Sequence, residues 1–182
     1  RTHCKRGIAY AKREQTDQAM ADYDEAIRLA PKNVEARLCR GVLRIAQGRY
    51  DAALEDYDEA IRLDPKRGRA YFHRGTLHAL QGRLDRAVAD YTEVLRLDPN
   101  DAFAYCHRGV ARTRQGRFDA AMADYHEAIR LHPAYASAYY NRGLVHLVQG
   151  RLAESLADLT VTLRLNPEFT KAYASRALCY DR

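Results

Sequence analysis

Cysteine is scarce. Cys4, Cys39, Cys106 and Cys179 stand far apart with no Cys-x-x-Cys pair, which points to neither a zinc knuckle nor a disulfide framework. Scattered reduced thiols fit a cytoplasmic setting. Long apolar runs are missing: no stretch approaches the ~18 residues of a membrane span, so membrane insertion is not expected. Residues 1–20 contain no apolar signal core, although the chain starts at Arg1 rather than Met, which leaves an upstream leader open. There is no Gly-rich phosphate loop, no nucleophile elbow and no His-Glu-x-x-His. The chain therefore reads as no enzyme, with no cofactor and no metal. Charge of one sign is not extreme either: 30 Lys+Arg face 24 Asp+Glu, for a net +6, well short of a polybasic chain. What remains is a 182-residue chain, 47% hydrophobic, long enough for one domain or one repeat array and too apolar to stay disordered.

The few prolines give the organisation. Pro31, Pro65, Pro99, Pro133 and Pro167 recur every 34 residues. Gly7, Gly41, Gly75, Gly109 and Gly143 keep the same period, and so do Gly48, Gly82, Gly116 and Gly150. The units run over 1–33, 34–67, 68–101, 102–135 and 136–169, with a partial unit or capping helix at 170–182. Each reads as two helices. In the third, Arg69 to Gln81 is helical. A Gly-Arg break follows, and Leu84, Val88, Tyr91 and Leu95 then fall at helical spacing. Asp85 opens that second helix, where its charge suits the exposed N–H groups, and Pro99 ends it. Asp17, Asp51 and Asp119 repeat the arrangement. A glycine inside every first helix costs about 1 kcal/mol relative to alanine. Close packing against Ala19, Ala53, Ala87, Ala121 and Ser155 of the second helix is the expected compensation. No single hairpin buries its own apolar face, so neighbours must stack.

A 34-residue helix–turn–helix unit with aromatic, glycine, alanine, aromatic and proline slots resembles the tetratricopeptide repeat, over the whole chain. Its aromatics are Tyr71, Tyr105, Tyr139 and Tyr173 in first helices and Tyr23, Tyr57, Tyr91 and Tyr125 in second helices. The wording of residues 56–65 is similar to that of bacterial members. The resemblance implies an all-α, right-handed α-solenoid of antiparallel helix hairpins, forming a single domain over 1–182. Two columns depart from the family together. Arg6, Arg40, Arg74, Arg108, Arg142 and Arg176 stand before the first glycine, and Asp22, Asp56, Asp90, Asp124 and Asp158 stand before the second-helix aromatic. They are expected to form an Arg–Asp ladder inside or between hairpins; a ligand-facing arginine surface is the alternative.

The first helices and their ends hold 17 of the Lys and Arg but only Glu14, Glu35 and Asp181 among the acids. The resemblance implies that first helices line a concave groove, which should then be basic, with an acidic back. By the same resemblance the groove residues of the third unit are Arg69, Phe72, His73 and Thr76, with Ala79 and Leu80. In the fourth they are Phe103, Cys106, His107, Val110 and Arg114, with Thr113. In the fifth they are Tyr140, Asn141 and Leu144, with Ser137, Leu147 and Val148. Such a surface suits an extended peptide with acidic and hydrophobic side chains, or a partner helix. Phe72 and Tyr140, ahead of Phe103, are its candidate anchors.

Other readings are weaker. Carboxylate-clamp members of the family use a Lys three residues before the glycine and an Asn just after it. Neither column holds one here; Asn141 and Lys171 match later clamp slots, but Ser175 departs. His73 and His107 share a column with Cys39 at a repeat spacing too long for a common metal. The apolar column Ile8, Val42, Val110, Leu144 and Leu178 argues against nucleic acid in the groove. Tyr173, Ala177 and Tyr180 of the partial unit would cover a following helix, so homo-oligomerisation through terminal repeats is a further expectation.

Overall fold

A computed structural model describes residues 2–11 and 13–181. Among them are eleven α-helices and no strand. The first helices are α1 (Thr2–Ala11), α3 (Val34–Ala46), α5 (Gly68–Leu80), α7 (Ala102–Arg114), α9 (Ala136–Val148) and α11 (Thr170–Tyr180). The second helices are α2 (Thr16–Leu29), α4 (Tyr50–Leu63), α6 (Leu84–Leu97), α8 (Phe118–Leu131) and α10 (Leu152–Leu165). Internal contacts divide the chain into two compact units, Arg1–Arg83 and Leu84–Arg182. In the first unit α1 pairs with α2 and α3 with α4, and α3 also touches α1 and α5. In the second unit α7 pairs with α8 and α9 with α10, and α9 touches α7 and α11.

Local chemistry sets the helix ends. Asn33 accepts a hydrogen bond from the N–H of Ala36 at 3.1 Å, and Asp101 one from Ala104 at 2.9 Å, capping α3 and α7. The second helices start differently from expectation. Asp17, Asp51, Asp85 and Asp119 lie one residue inside them and act on the first-turn dipole, not as caps. Each proline follows its helix by two residues, where its missing N–H breaks nothing. The hairpin turn needs a left-handed residue: Gly48 has φ +72°, and Glu14 fills the corresponding place in the first repeat at φ +59°.

In the hairpins of Gly7, Gly41 and Gly109 the first-helix glycine faces a ring. A Cβ built on Gly41 would lie 2.5 Å from Tyr57 Cε1, and one on Gly7 or Gly109 would lie 2.7 Å from the same atom of Tyr23 or Tyr125. The small residues Ala19, Ala53, Ala121 and Ser155 are fully buried as expected, yet the tyrosine is what demands the glycine. In the fifth hairpin Leu159 replaces the tyrosine, and the nearest atom to a Cβ on Gly143 is Asp158 Cβ at 3.2 Å. These rings anchor the cores; Tyr57, for one, sits among Leu38, Ala53, Ala60, Ala70 and Leu77.

The arginine and aspartate columns form a ladder both within and between hairpins. Arg40 grips Asp56 through Nε at 3.0 Å and Nη2 at 2.6 Å, and its Nη1 donates to Asp24 of the preceding repeat at 2.6 Å. Arg6 holds Asp22 in the same two-pronged way, as Arg142 holds Asp158. Arg108 holds Asp124 and reaches back to Thr92. Arg74 reaches back to Asp58 at 2.6 Å. A second cation one turn on completes the acceptor: Arg44 for Asp56 and Arg112 for Asp124, each at 2.8 Å. Tyr71, Tyr105 and Tyr139 each lie under the guanidinium three residues later. The Asp56 side chain is only 1% exposed, so its charge depends on these donors.

Candidate functional site

In the first unit the first helices enclose an apolar pocket of about 490 Å³. Ile8 and Ala11 come from α1, Leu38, Cys39, Val42 and Leu43 from α3, and Arg69 and His73 from α5. The helical period places Leu38, Val42 and Cys39 on one stripe of α3. Val42 is 43% exposed, so the pocket presents apolar surface to its opening. His73 stacks on Tyr57, ring centroids 5.7 Å apart at 19°. Burial, reinforced by the charge of Arg69, holds its imidazole below the ordinary value, so it lines the pocket as a neutral ring. Burial pushes the Cys39 thiol up to about 11, which makes it a small apolar wall and not a nucleophile. Beside this pocket a second one of about 420 Å³ is lined by Cys4, Lys5, Ile8, Asn33 and Glu35.

Of the residues expected from the third unit, the pocket gathers Arg69 and His73. Phe72 is half-buried with its ring edge-on to His73 at 6.3 Å. Thr76 is exposed and donates its hydroxyl to the carbonyl of Phe72 at 2.9 Å. Sequence reasoning gave Arg69 as a groove cation and overlooked what holds it. Glu35 accepts from Arg69 Nη1 at 2.9 Å and from Arg67 Nη2 at 2.6 Å. Burial alone would raise the Glu35 carboxyl; the two arginines outweigh it and hold it below the ordinary value. Glu35 stands 34 residues before Arg69 in the same column, and that opposite-sign pairing was the available signal.

The remaining expected residues belong to the second unit. Phe103 is 50% exposed, the most open of the three candidate anchors, contrary to the expected order. Its ring packs on Tyr135 at 4.9 Å and edge-on to His132 at 6.1 Å. Tyr140 is half-buried against Phe169 at 4.7 Å. Cys106 has to be corrected: at 2% exposure it belongs to the core with Tyr125 and Val145, not to a ligand-facing surface, and burial pushes its thiol up to about 11. Asn141 donates to the carbonyl of Ser137 at 2.8 Å and lies 3.9 Å from the Cys106 sulfur. His107 tilts against Tyr91 at 5.7 Å. Val110 packs on the core beside Cys106, Leu144 is half-buried, and Arg114 is exposed at the end of α7. Thr113 turns inward to the Tyr125 hydroxyl at 3.0 Å, and Leu147 is buried.

The expected strength of the positive groove also needs correcting. Besides the ladder arginines, Arg44 and Arg112 are tied to second-helix carboxylates, and Arg37 lies 3.8 Å from Asp56. The first helices therefore spend much of their charge inside the hairpins. Among the described residues no helix is long and apolar enough to cross a membrane, and no three His, Cys, Asp or Glu side chains gather as metal ligands.

Comparisons with known proteins agree with this architecture. No curated protein matches the chain. Among solved structures, MamA superposes with a TM-score of 0.79 at 23% identity, covering 91% of this chain and 96% of that one. YrrB, described as a TPR protein with an unusual peptide-binding site, gives 0.77 at 19% identity, covering 96% and 90%. A thermophilic TPR protein in Thermus thermophilus gives 0.77 at 20% identity, covering 100% and 98%. These likenesses establish the fold. A tetratricopeptide repeat model matches residues 4–67 and 40–102, and a second TPR repeat model matches residues 111–150. With repeat models over most of its length and the hairpins they describe in place, the chain belongs to the tetratricopeptide repeat family.

Proposed function

We propose that the chain is a non-catalytic protein-interaction scaffold whose first-helix surface takes an extended peptide, or a partner helix, carrying bulky apolar and acidic side chains. The pocket of the first unit carries this reading: an apolar floor of Ile8, Leu38 and Val42 lies beside the cationic edge of Arg69. That YrrB, of the same fold, is described with a peptide-binding site supports it. The matching family models describe repeats and not an enzyme. The apolar floor is wrong for phosphate, so nucleic acid is disfavoured. Peptides displayed on phage and selected on residues 1–182, then counter-screened on Val42→Asp, test the proposal. Enriched sequences should pair Leu, Ile or Phe with Asp or Glu and should fail on the variant. Equal capture by Val42→Asp, or no enrichment, refutes it.

A second reading rests on α11, where Tyr173, Leu178 and Tyr180 are 47%, 54% and 72% exposed. Such a face suits a second copy of the chain. Light scattering over a concentration series should then show mass rising with concentration, and Tyr180→Lys/Leu178→Lys should abolish the rise. A constant monomer mass excludes this reading.

A further inference from the structure

Glu35 lines the second of the two pockets described above, and its partner Arg69 lines the first. It pairs with two cations, Arg67 and Arg69, and the Cys39 thiol lies 3.9 Å from its Oε1, while Lys5 lines the second pocket with it. Its two oxygens are divided: Oε2 takes Arg67 Nη2, and Oε1 takes Arg69 Nη1. Neither guanidinium receives the parallel two-bond grip that a carboxylate can give. Arg67 Nε is buried and makes no hydrogen bond at all. The arrangement contrasts with Arg40 on Asp56, where Nε and Nη2 are both satisfied. One acid thus serves two arginines incompletely, within reach of solvent and next to an open apolar pocket.

We propose that Glu35 is a resident stand-in for a ligand carboxylate. An Asp or Glu side chain of a bound peptide displaces it from Arg69 and Arg67, while the peptide's neighbouring bulky apolar side chain enters the pocket floored by Ile8, Leu38 and Val42. This rests on the groove reading above and deepens it by assigning the selectivity for acid to one exchangeable pair. Glu35 keeps the two guanidinium groups ordered and partly neutralised when the groove is empty. It also sets a threshold: a neutral peptide cannot replace the carboxylate, so it fills the pocket without releasing Glu35. Positive charge remains in excess after the exchange, since Lys5 lines the second pocket.

Fluorescence anisotropy with two labelled peptides tests the exchange, one of alternating Leu and Glu and one of alternating Leu and Gln. The natural chain should prefer the Leu-Glu peptide. Glu35→Gln removes the competing acid and should tighten Leu-Glu binding about five- to tenfold while leaving Leu-Gln unchanged. Arg69→Gln should erase the preference. If Leu-Glu binds the natural chain but Glu35→Gln leaves it unchanged or weakens it, the exchange is wrong and the groove reading stands. If binding persists undiminished in Val42→Asp, or no peptide binds the natural chain or Glu35→Gln, the groove reading itself is overturned and the exchange falls with it.

Discussion

Substituting Gly41 by alanine should destabilise the protein, and the same change at Gly143 should not. The new Cβ at position 41 would meet Tyr57 Cε1 at 2.5 Å and Cζ at 2.8 Å, far inside contact distance. Tyr57 has no exposed surface, and its ring is wedged among Leu38, Ala53 and Leu77, so it cannot withdraw without moving its neighbours. Overpacking of this kind costs about 1–3 kcal/mol, and the contact belongs near the top of that range. Replacing a helix-interior glycine returns about 1 kcal/mol. The net loss is about 2 kcal/mol, or about 5 °C in melting temperature for a chain of this size. At Gly143 the nearest atoms are Asp158 Cβ at 3.2 Å and Leu159 Cγ at 3.4 Å, which small shifts relieve. There the helix gain balances the crowding, and the change should stay within about 0.5 kcal/mol of zero. Urea and thermal unfolding followed by far-UV circular dichroism compare the two. A double-mutant cycle sharpens the comparison: on a Tyr57→Leu background, Gly41→Ala should cost less than about 0.5 kcal/mol. Equal losses at 41 and 143, or a clash penalty that survives Tyr57→Leu, would refute the ring-on-glycine account.

Asp56→Asn leaves Arg40 and Arg44 without their shared carboxylate in a site where Asp56 is 1% exposed, so it should cost about 3 kcal/mol. Glu59→Gln, which breaks only the exposed pair with Arg62, should change urea stability by less than about 0.5 kcal/mol; a similar loss for both would sink the ladder argument. Glu14→Gly should stabilise the first hairpin by up to about 1 kcal/mol, because Glu14 holds a left-handed φ of +59°; a loss in unfolding midpoint contradicts this. Stability should fall on acidification in two stages. His73, His107 and His146 are held below 6.5, chiefly by burial, so below pH 6.5 the unfolded chain binds more protons and folding weakens. Asp22, held low first by its hydrogen bond from Arg6, and Glu35, held low by its arginines against burial, give a further loss below about pH 4. Urea midpoints near pH 8, 5.5 and 3.5 should descend in that order, and a midpoint that rises between the first two would show the signs to be wrong.

The repeat period placed every helix, because proline and glycine mark the chain wherever it cannot stay helical. Helices α3, α5, α7, α9 and α11 begin at residues 34, 68, 102, 136 and 170, where the 34-residue units were drawn. The Arg and Asp columns were legible as partners because both departed from an apolar pattern at the same interval. Which atoms meet was not legible. The glycine's neighbour is decided by where a tyrosine ring lands, and the alanines of the same helix gave an equally good pattern. Cys106 and Phe103 lie three residues apart on α7, nearly the same helical face, yet one is core and the other half open.

The ladder has a consequence for recognition. A solvent-facing arginine column would make any anionic partner welcome along the whole first-helix surface. Because Arg40, Arg108 and Arg142 each clasp a buried aspartate, and Arg44 and Arg112 join them, those charges serve hairpin assembly and are withdrawn from the surface, whereas Arg6 clasps Asp22 while staying exposed. The column near the start of the first helices is not part of the ladder and reads Glu35, Arg69, Phe103, Ser137 and Lys171. In the first unit Glu35 is joined to Arg67 by charge, and in the second Phe103 is joined to Tyr135 by ring packing, at the same 32-residue separation. One junction of the repeat is thus ionic in one unit and aromatic in the other. The framework tolerates both because the buried rings and the ladder already hold the hairpins, leaving these opening positions free to vary.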